Sequence, residues 1–116
     1  MKRRTKQFAL DVLGFVNTLP RTDEARDIGG QLRRAAVGVG SNYRAACRSR
    51  SKPEFVARVG VALEEADECG FWFEIAIEGD ISRTARATEL LDEANQLSAI
   101  LARSKIIAAQ SLGRPR

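Results

Sequence analysis

Gln31–Phe55, QLRRAAVGVGSNYRAACRSRSKPEF, is the stretch whose reading decides the fold. From just upstream of it, Ile28, Leu32, Ala35, Val39, Tyr43 and Ala46 recur at steps of four, three, four, four and three, the spacing of one buried helix face. Gly38 and Gly40 each cost about 1 kcal/mol relative to alanine in a helix interior. Two residues apart, they point to nearly opposite sides of the helix and cannot form one groove for a neighbour, so the pair predicts a bend. Ser41 and Asn42 follow, with short polar side chains able to bond carbonyls freed there.

Downstream, Ser51-Lys52-Pro53-Glu54 reads as a capping box and is the clearest boundary in the chain. The second helix therefore ends near Ala46 or Arg48, and a third begins. It carries Phe55, Val59, Ala62, Ala66, Cys69 and Phe73 at alternating steps of four and three, a bundle seam of coiled-coil type. Phe71-Trp72-Phe73 sets aromatic rings around most of the helix circumference, more than one core face absorbs, so Phe71 or Trp72 is expected in a subunit interface. Gly79 and Asp80 end this helix, and Asp80 or Ser82 starts a fourth, with Leu90, Ala94, Leu97 and Leu101 on its seam. The chain then exits through Gly113 and Pro115 into a frayed tail.

Upstream, Phe8, Val12, Phe15, Val16 and Leu19 define a first helix from about Thr5 to Leu19, stopped by Pro20. Met1–Lys6, MKRRTK, reads as a frayed basic arm and a minor candidate for phosphate contact. Thr22 caps the second helix, with Asp23 and Glu24 where a helix N-terminus favours negative charge. Every connection is short. Together these signals predict one all-α domain over residues 1–116, an antiparallel up-down-up-down four-helix bundle.

Charge is unevenly distributed. Seven basic residues between Arg26 and Lys52 meet one acidic residue, Asp27, and Arg26, Arg33, Arg44 and Arg48 fall on one side of the second helix. Arg34, Arg50 and Lys52 widen that face into a surface suited to phosphates. Met1–Arg58 carries net charge +8 and Val59–Arg116 net −4, a polarity that favours head-to-tail association. Glu64, Glu65, Asp67 and Glu68 form the most acidic patch, for which a basic partner surface is the expected complement.

The absence of histidine excludes His-based triads and the Glu-x-x-His sites of di-iron bundles, and no glycine-rich phosphate loop is present. No cofactor and no metal are expected. Cys47 and Cys69 are expected as buried, reduced thiols. No run approaches the ~18 apolar residues of a membrane span, and the protein is expected to be cytoplasmic.

Arg33-Arg34-Ala35-Ala36-Val37, then Ser41-Asn42, a basic serine-rich turn, and Ser51, Glu54 and Phe55 resemble the signature of the four-helix bundle proteins encoded by intervening sequences in 23S ribosomal RNA genes. The resemblance extends roughly from Phe8 to Ile107, and Ala62–Glu68 is similar to that family's third helix. Many members place a proline and an Ile-Ala-Glu-Gly run around the Ser-Asn pair, where this chain has Gly38-Val39-Gly40 and Tyr43-Arg44-Ala45-Ala46. No role of that carboxylate is carried over. The family is similar to the pentameric accessory proteins of diversity-generating retroelements, which work with a reverse transcriptase and bind nucleic acid. The resemblance thus implies a homo-oligomer, a pentamer, that binds RNA or DNA, with a reverse transcriptase or another protein as a possible partner.

The reading is then a non-enzymatic oligomeric module that holds RNA or DNA through Arg33, Arg34, Arg44, Arg48, Arg50 and Lys52 without reading sequence. Phe71 and Trp72 are its candidate interface. The competing reading is an interaction scaffold whose arginines pair with the acidic third helix of a neighbour.

Overall fold

The computed structural model describes residues 1–112 and contains four helices in sequence order: α1 (Lys2–Val16), α2 (Asp23–Cys47), α3 (Lys52–Glu78) and α4 (Ala85–Leu112). They form an elongated bundle of 56 × 21 × 21 Å. The expected exit through Gly113 and Pro115 lies outside the described residues.

Local signals explain most boundaries. The Thr22 hydroxyl accepts the Ala25 N–H at 3.2 Å, and Ser51 accepts the Glu54 N–H at 3.2 Å. The return half of the capping box differs from expectation, because the Glu54 carboxylate accepts the backbone N–H of Arg50, one residue before the cap. Three boundaries correct the sequence reading. α1 begins at Lys2, since Arg4 makes a two-pronged pair with Glu93 of α4 (2.8 and 2.6 Å) that draws the basic arm into the helix. It ends at Val16, because Pro20 disfavours helical backbone at Leu19 and the chain closes in tight turns, Thr18 N–H to Phe15 and Leu19 N–H to Val16. α4 starts at Ala85 with Thr84 as its cap, its hydroxyl accepting the Ala87 N–H at 3.2 Å; neither Asp80 nor Ser82 serves. Asp80 instead takes the left-handed conformation (φ 60°) that closes α3, while Ile81 and Ser82 donate to the Ala76 carbonyl.

The seam residues meet in one core. Phe8, Val12, Leu32, Ala35, Val39, Val59, Ala62, Ala66, Cys69, Phe73, Leu97 and Leu101 are almost completely buried, and the Phe15 and Phe73 rings lie 5.4 Å apart. Adjacent helices run antiparallel. Arg4 meets Glu93 and Asp11 meets Arg86 across α1 and α4, while Arg34 meets Glu65 and Glu68 across α2 and α3. α2 packs along both α1 and α3, and those two approach each other across the core through the Phe15 and Phe73 rings.

Three glycines of α2 face neighbouring helices. At Gly29 a Cβ would lie 2.9 Å from Val16 Cγ1, so α1 packs where a side chain would stand. At Gly38 a Cβ would overlap the Glu65 carboxylate, whereas Gly40 faces the Thr5 backbone of α1. The two glycines face α3 and α1, as their opposite directions require, within a helix that runs unbroken from Asp23 to Cys47. Asn42 Nδ2 donates to the Gly38 carbonyl at 2.8 Å and Ser41 reaches it at 3.4 Å, as those side chains suggested.

Candidate nucleic-acid interface

Because α1 starts at Lys2, three of its cations project beside the second half of α2. Lys2, Arg3 and Lys6 form one wall of an open groove of about 640 Å³, and Arg44 and Arg48 form the other. Its floor is small and apolar, made of Ala9, Val37 and Gly40. Among the described residues none of these five cations has a carboxylate within ion-pair distance. Arg4, the remaining cation of the arm, is turned towards α4 and spent on Glu93.

A second groove of about 780 Å³ runs along the other side of Arg44 and Arg48, between α2 and the start of α3, with Arg50 and Arg58 on its far side. Glu54 lies in it, and its carboxylate is held by Arg58 at 3.2 Å.

The six cations singled out from sequence do not form one surface. Arg44, Arg48 and Arg50 come together. Arg33 lies in a separate shallow groove beside Arg21 and Arg26, some 16 Å along the helix from Arg44 at 1.5 Å per residue. Arg34 faces α3, bridging Glu65 at 3.4 Å and Glu68, and also donates to Gln31. The acidic patch thus finds a basic partner inside the same chain. Lys52 is exposed at the start of α3 and donates to the Ser111 hydroxyl of α4. The cations of the amino-terminal arm and Arg58 were missed as members of the main cluster. A signal for the arm existed, four cations in the first six residues, but its position depends on the distant Arg4–Glu93 pair.

Burial against α2 raises the Glu65 carboxyl above the ordinary carboxylate range, an effect that Arg34 partly offsets and Glu68 and Glu64 reinforce. Partial burial likewise raises the Tyr43 hydroxyl, with Cys47 one turn away adding to the shift. Cys47 corrects the expectation of two buried thiols: it is exposed and lines the first groove, because it lies one residue, about 100° of helix, beyond the buried Ala46. Cys69 is buried, and burial followed by Glu65 and Glu68 pushes its thiol up to about 12. Since the thiolate is the reactive form, iodoacetamide near neutral pH should modify Cys47 alone in the folded protein and both cysteines in denaturant. Mass spectrometry reads the result, and double modification of the folded chain would show that the core admits reagent at Cys69.

The outward side of α3 has its own pattern. Ala57, Val61, Glu64, Glu68, Phe71, Ile75 and Glu78 recur at steps of four and three, a second seam that Arg34 of α2 borders at Glu68. Phe71 is 52% exposed, and Val61 and Ile75 are also exposed. Trp72 behaves differently: it is half-buried against the core, donates its indole N–H to Glu68 at 3.3 Å, and meets the Phe71 ring edge-on at 5.1 Å. No described helix is long and apolar enough to cross a membrane.

Comparison with solved structures finds the same fold in a protein of unknown function from the S23 ribosomal protein family of Bacteroides thetaiotaomicron. The TM-score is 0.82 at 20% identity, covering 90% of this chain and 96% of that one. Comparison with curated proteins gives no match. The family described as 23S rRNA-intervening sequence protein matches residues 1–103, which include all four helix starts, both halves of the groove and the core. The chain therefore belongs to the 23S rRNA-intervening sequence protein family.

Proposed function

We propose that this protein is a non-enzymatic, self-associating module that holds RNA or DNA through phosphates. One observation carries the binding reading: Lys2, Arg3, Lys6, Arg44 and Arg48 converge on a single groove and none is neutralised by a described carboxylate. Unpaired cations with a shared focus raise the local potential and release condensed counterions when phosphates replace solvent. Neither groove is lined by an aromatic side chain, so a stacking platform for reading bases does not accompany the charge. Arg50 extends the cluster. Arg33, Arg34 and Lys52 belong to other contacts. The test is a mobility-shift titration of RNA and DNA at two salt concentrations, repeated with Cys47 as a footprint. Bound nucleic acid should slow iodoacetamide at Cys47, and absence of any shift at low salt would defeat the proposal.

Self-association is supported by the outward seam of α3. Its apolar members, Val61, Phe71 and Ile75, need cover, whereas Glu64 and Glu78 would repel an identical seam placed face to face. A basic face of a neighbouring copy suits it better, and head-to-tail contacts whose rotation closes make rings; the pentamer of the resembled accessory proteins would be one such ring. Phe71→Glu should lower the mass in light scattering coupled to size exclusion without loss of helicity, because Phe71 is outside the core. A monomeric parent at micromolar concentration and physiological salt would defeat this part. The scaffold reading, in which the arginines serve subunit contacts alone, is favoured by the Arg34–Glu65–Glu68 cluster, which shows that a basic helix and an acidic helix of this sequence fit together.

A further inference from the structure

The basic end of the bundle is a ridge between two troughs. Ser41, Arg44 and Arg48 line both grooves, so the last turns of α2 are the crest that separates them. The crest lies between α1 on one flank and α3 on the other, the two helices that α2 packs against. Cations stand in three rows: Lys2, Arg3 and Lys6 on the α1 flank, Arg44 and Arg48 on the crest, and Arg50 with Arg58 on the α3 flank. Arg58 is partly committed to Glu54, the one carboxylate in either groove.

A single strand offers one row of phosphates and flexible bases. Proteins hold it in a positively charged groove with aromatic side chains under the bases, and no aromatic side chain lines either groove. A double helix offers two phosphate rows with a groove between them. A helix with its side chains is about 10–12 Å across, comparable to the ~12 Å major groove of B-form DNA, and the minor groove of A-form RNA is wide and shallow. We infer that the site takes double-helical nucleic acid, with the Arg44–Arg48 crest of α2 seated in a groove of the duplex and its two strands lying over the flanking troughs. One strand then meets Lys2, Arg3 and Lys6, and the other meets Arg50 and Arg58. This rests on the binding role proposed above and adds the class of ligand. The crest offers two arginines and a serine hydroxyl to the duplex groove, too few donors for an extended sequence readout, so phosphate contacts dominate.

The test measures fluorescence anisotropy of the full chain with four labelled ligands matched in length and sequence: single-stranded RNA, single-stranded DNA, duplex RNA and duplex DNA. At least one duplex should bind about tenfold or more tightly than either single strand, since only a duplex engages both flanks, and binding strength follows the number of neutralised phosphates. Whichever duplex binds tighter identifies the groove geometry the crest fits. Two variants test the arrangement: Lys2→Ala with Lys6→Ala on one flank, and Arg50→Ala on the other. Each should weaken duplex binding and shrink the duplex preference while circular dichroism confirms the fold. Equal or tighter binding of a single strand overturns the inference and leaves the proposed function standing. Failure of all four ligands to bind at low salt overturns both.

Discussion

Removing Arg44 and Arg48 together is expected to flatten the salt dependence of nucleic-acid binding. Each neutralised phosphate contributes about −0.9 to the slope of log affinity against log salt, so five grooved cations predict a loss near 500-fold between roughly 50 and 200 mM salt. The Arg44→Ala, Arg48→Ala variant retains three of them, and its loss over the same range should fall to about 40-fold. Its absolute affinity at low salt should fall as well, to a similar extent for unrelated sequences, because phosphate contacts carry no sequence information. Both side chains are exposed and neither makes an ion pair among the described residues, so stability should hardly change. Arg33→Ala is the internal control, since Arg33 lies in another groove. Equal losses from Arg33→Ala and from the double variant would mean that overall charge, and not the groove, binds the ligand. Anisotropy titrations at three or more salt concentrations give the slopes.

Phe73→Ala is expected to be the most damaging single truncation, at about 3–5 kcal/mol, the usual range for losing a fully buried aromatic ring. Phe73 is completely buried and its ring meets Phe15, so the cavity would open between α3 and α1. Against a typical domain stability of about 5–15 kcal/mol, such a loss leaves the chain marginal. Urea unfolding followed by circular dichroism should show a lower midpoint with little change in slope. Phe71→Ala, two residues away on the outward side, should stay within about 1 kcal/mol in the same assay at concentrations where any assembly is dissociated. Comparable midpoints for the two variants would mean that the core does not depend on the Phe15–Phe73 contact.

The four helices and their inward faces were legible because each is a one-dimensional repeat. Buried side chains at steps of three and four are dictated by helix geometry, whatever the neighbouring helix happens to be. The caps at Thr22 and Ser51 were legible for the same reason, since a side chain and an N–H three residues on make a local bond. Thr84 was overlooked because Asp80, Ser82 and Thr84 are all acceptable caps in sequence. The left-handed turn at Asp80 and its neighbours' bonds to Ala76 decide among them.

The candidate site was legible in part. Arg44, Arg48 and Arg50 were identified by charge excess, but the same excess also drew in Arg34, whose partners Glu65 and Glu68 lie more than thirty residues away. Periodicity placed Arg33 correctly on the face of α2 that carries Arg44, yet a shared face did not make a shared groove.

From the sequence alone came the helical class, the number of helices, the core positions and the strong positive charge of the first half, all properties of single segments. Tertiary structure alone decided which cations converge and which glycines admit a neighbour. Those outcomes depend on how far each helix is shifted along and rotated about its axis when it packs. That shift is set by contacts such as Val16 on Gly29 and Arg4 on Glu93, between residues far apart in the chain, which no local spacing encodes.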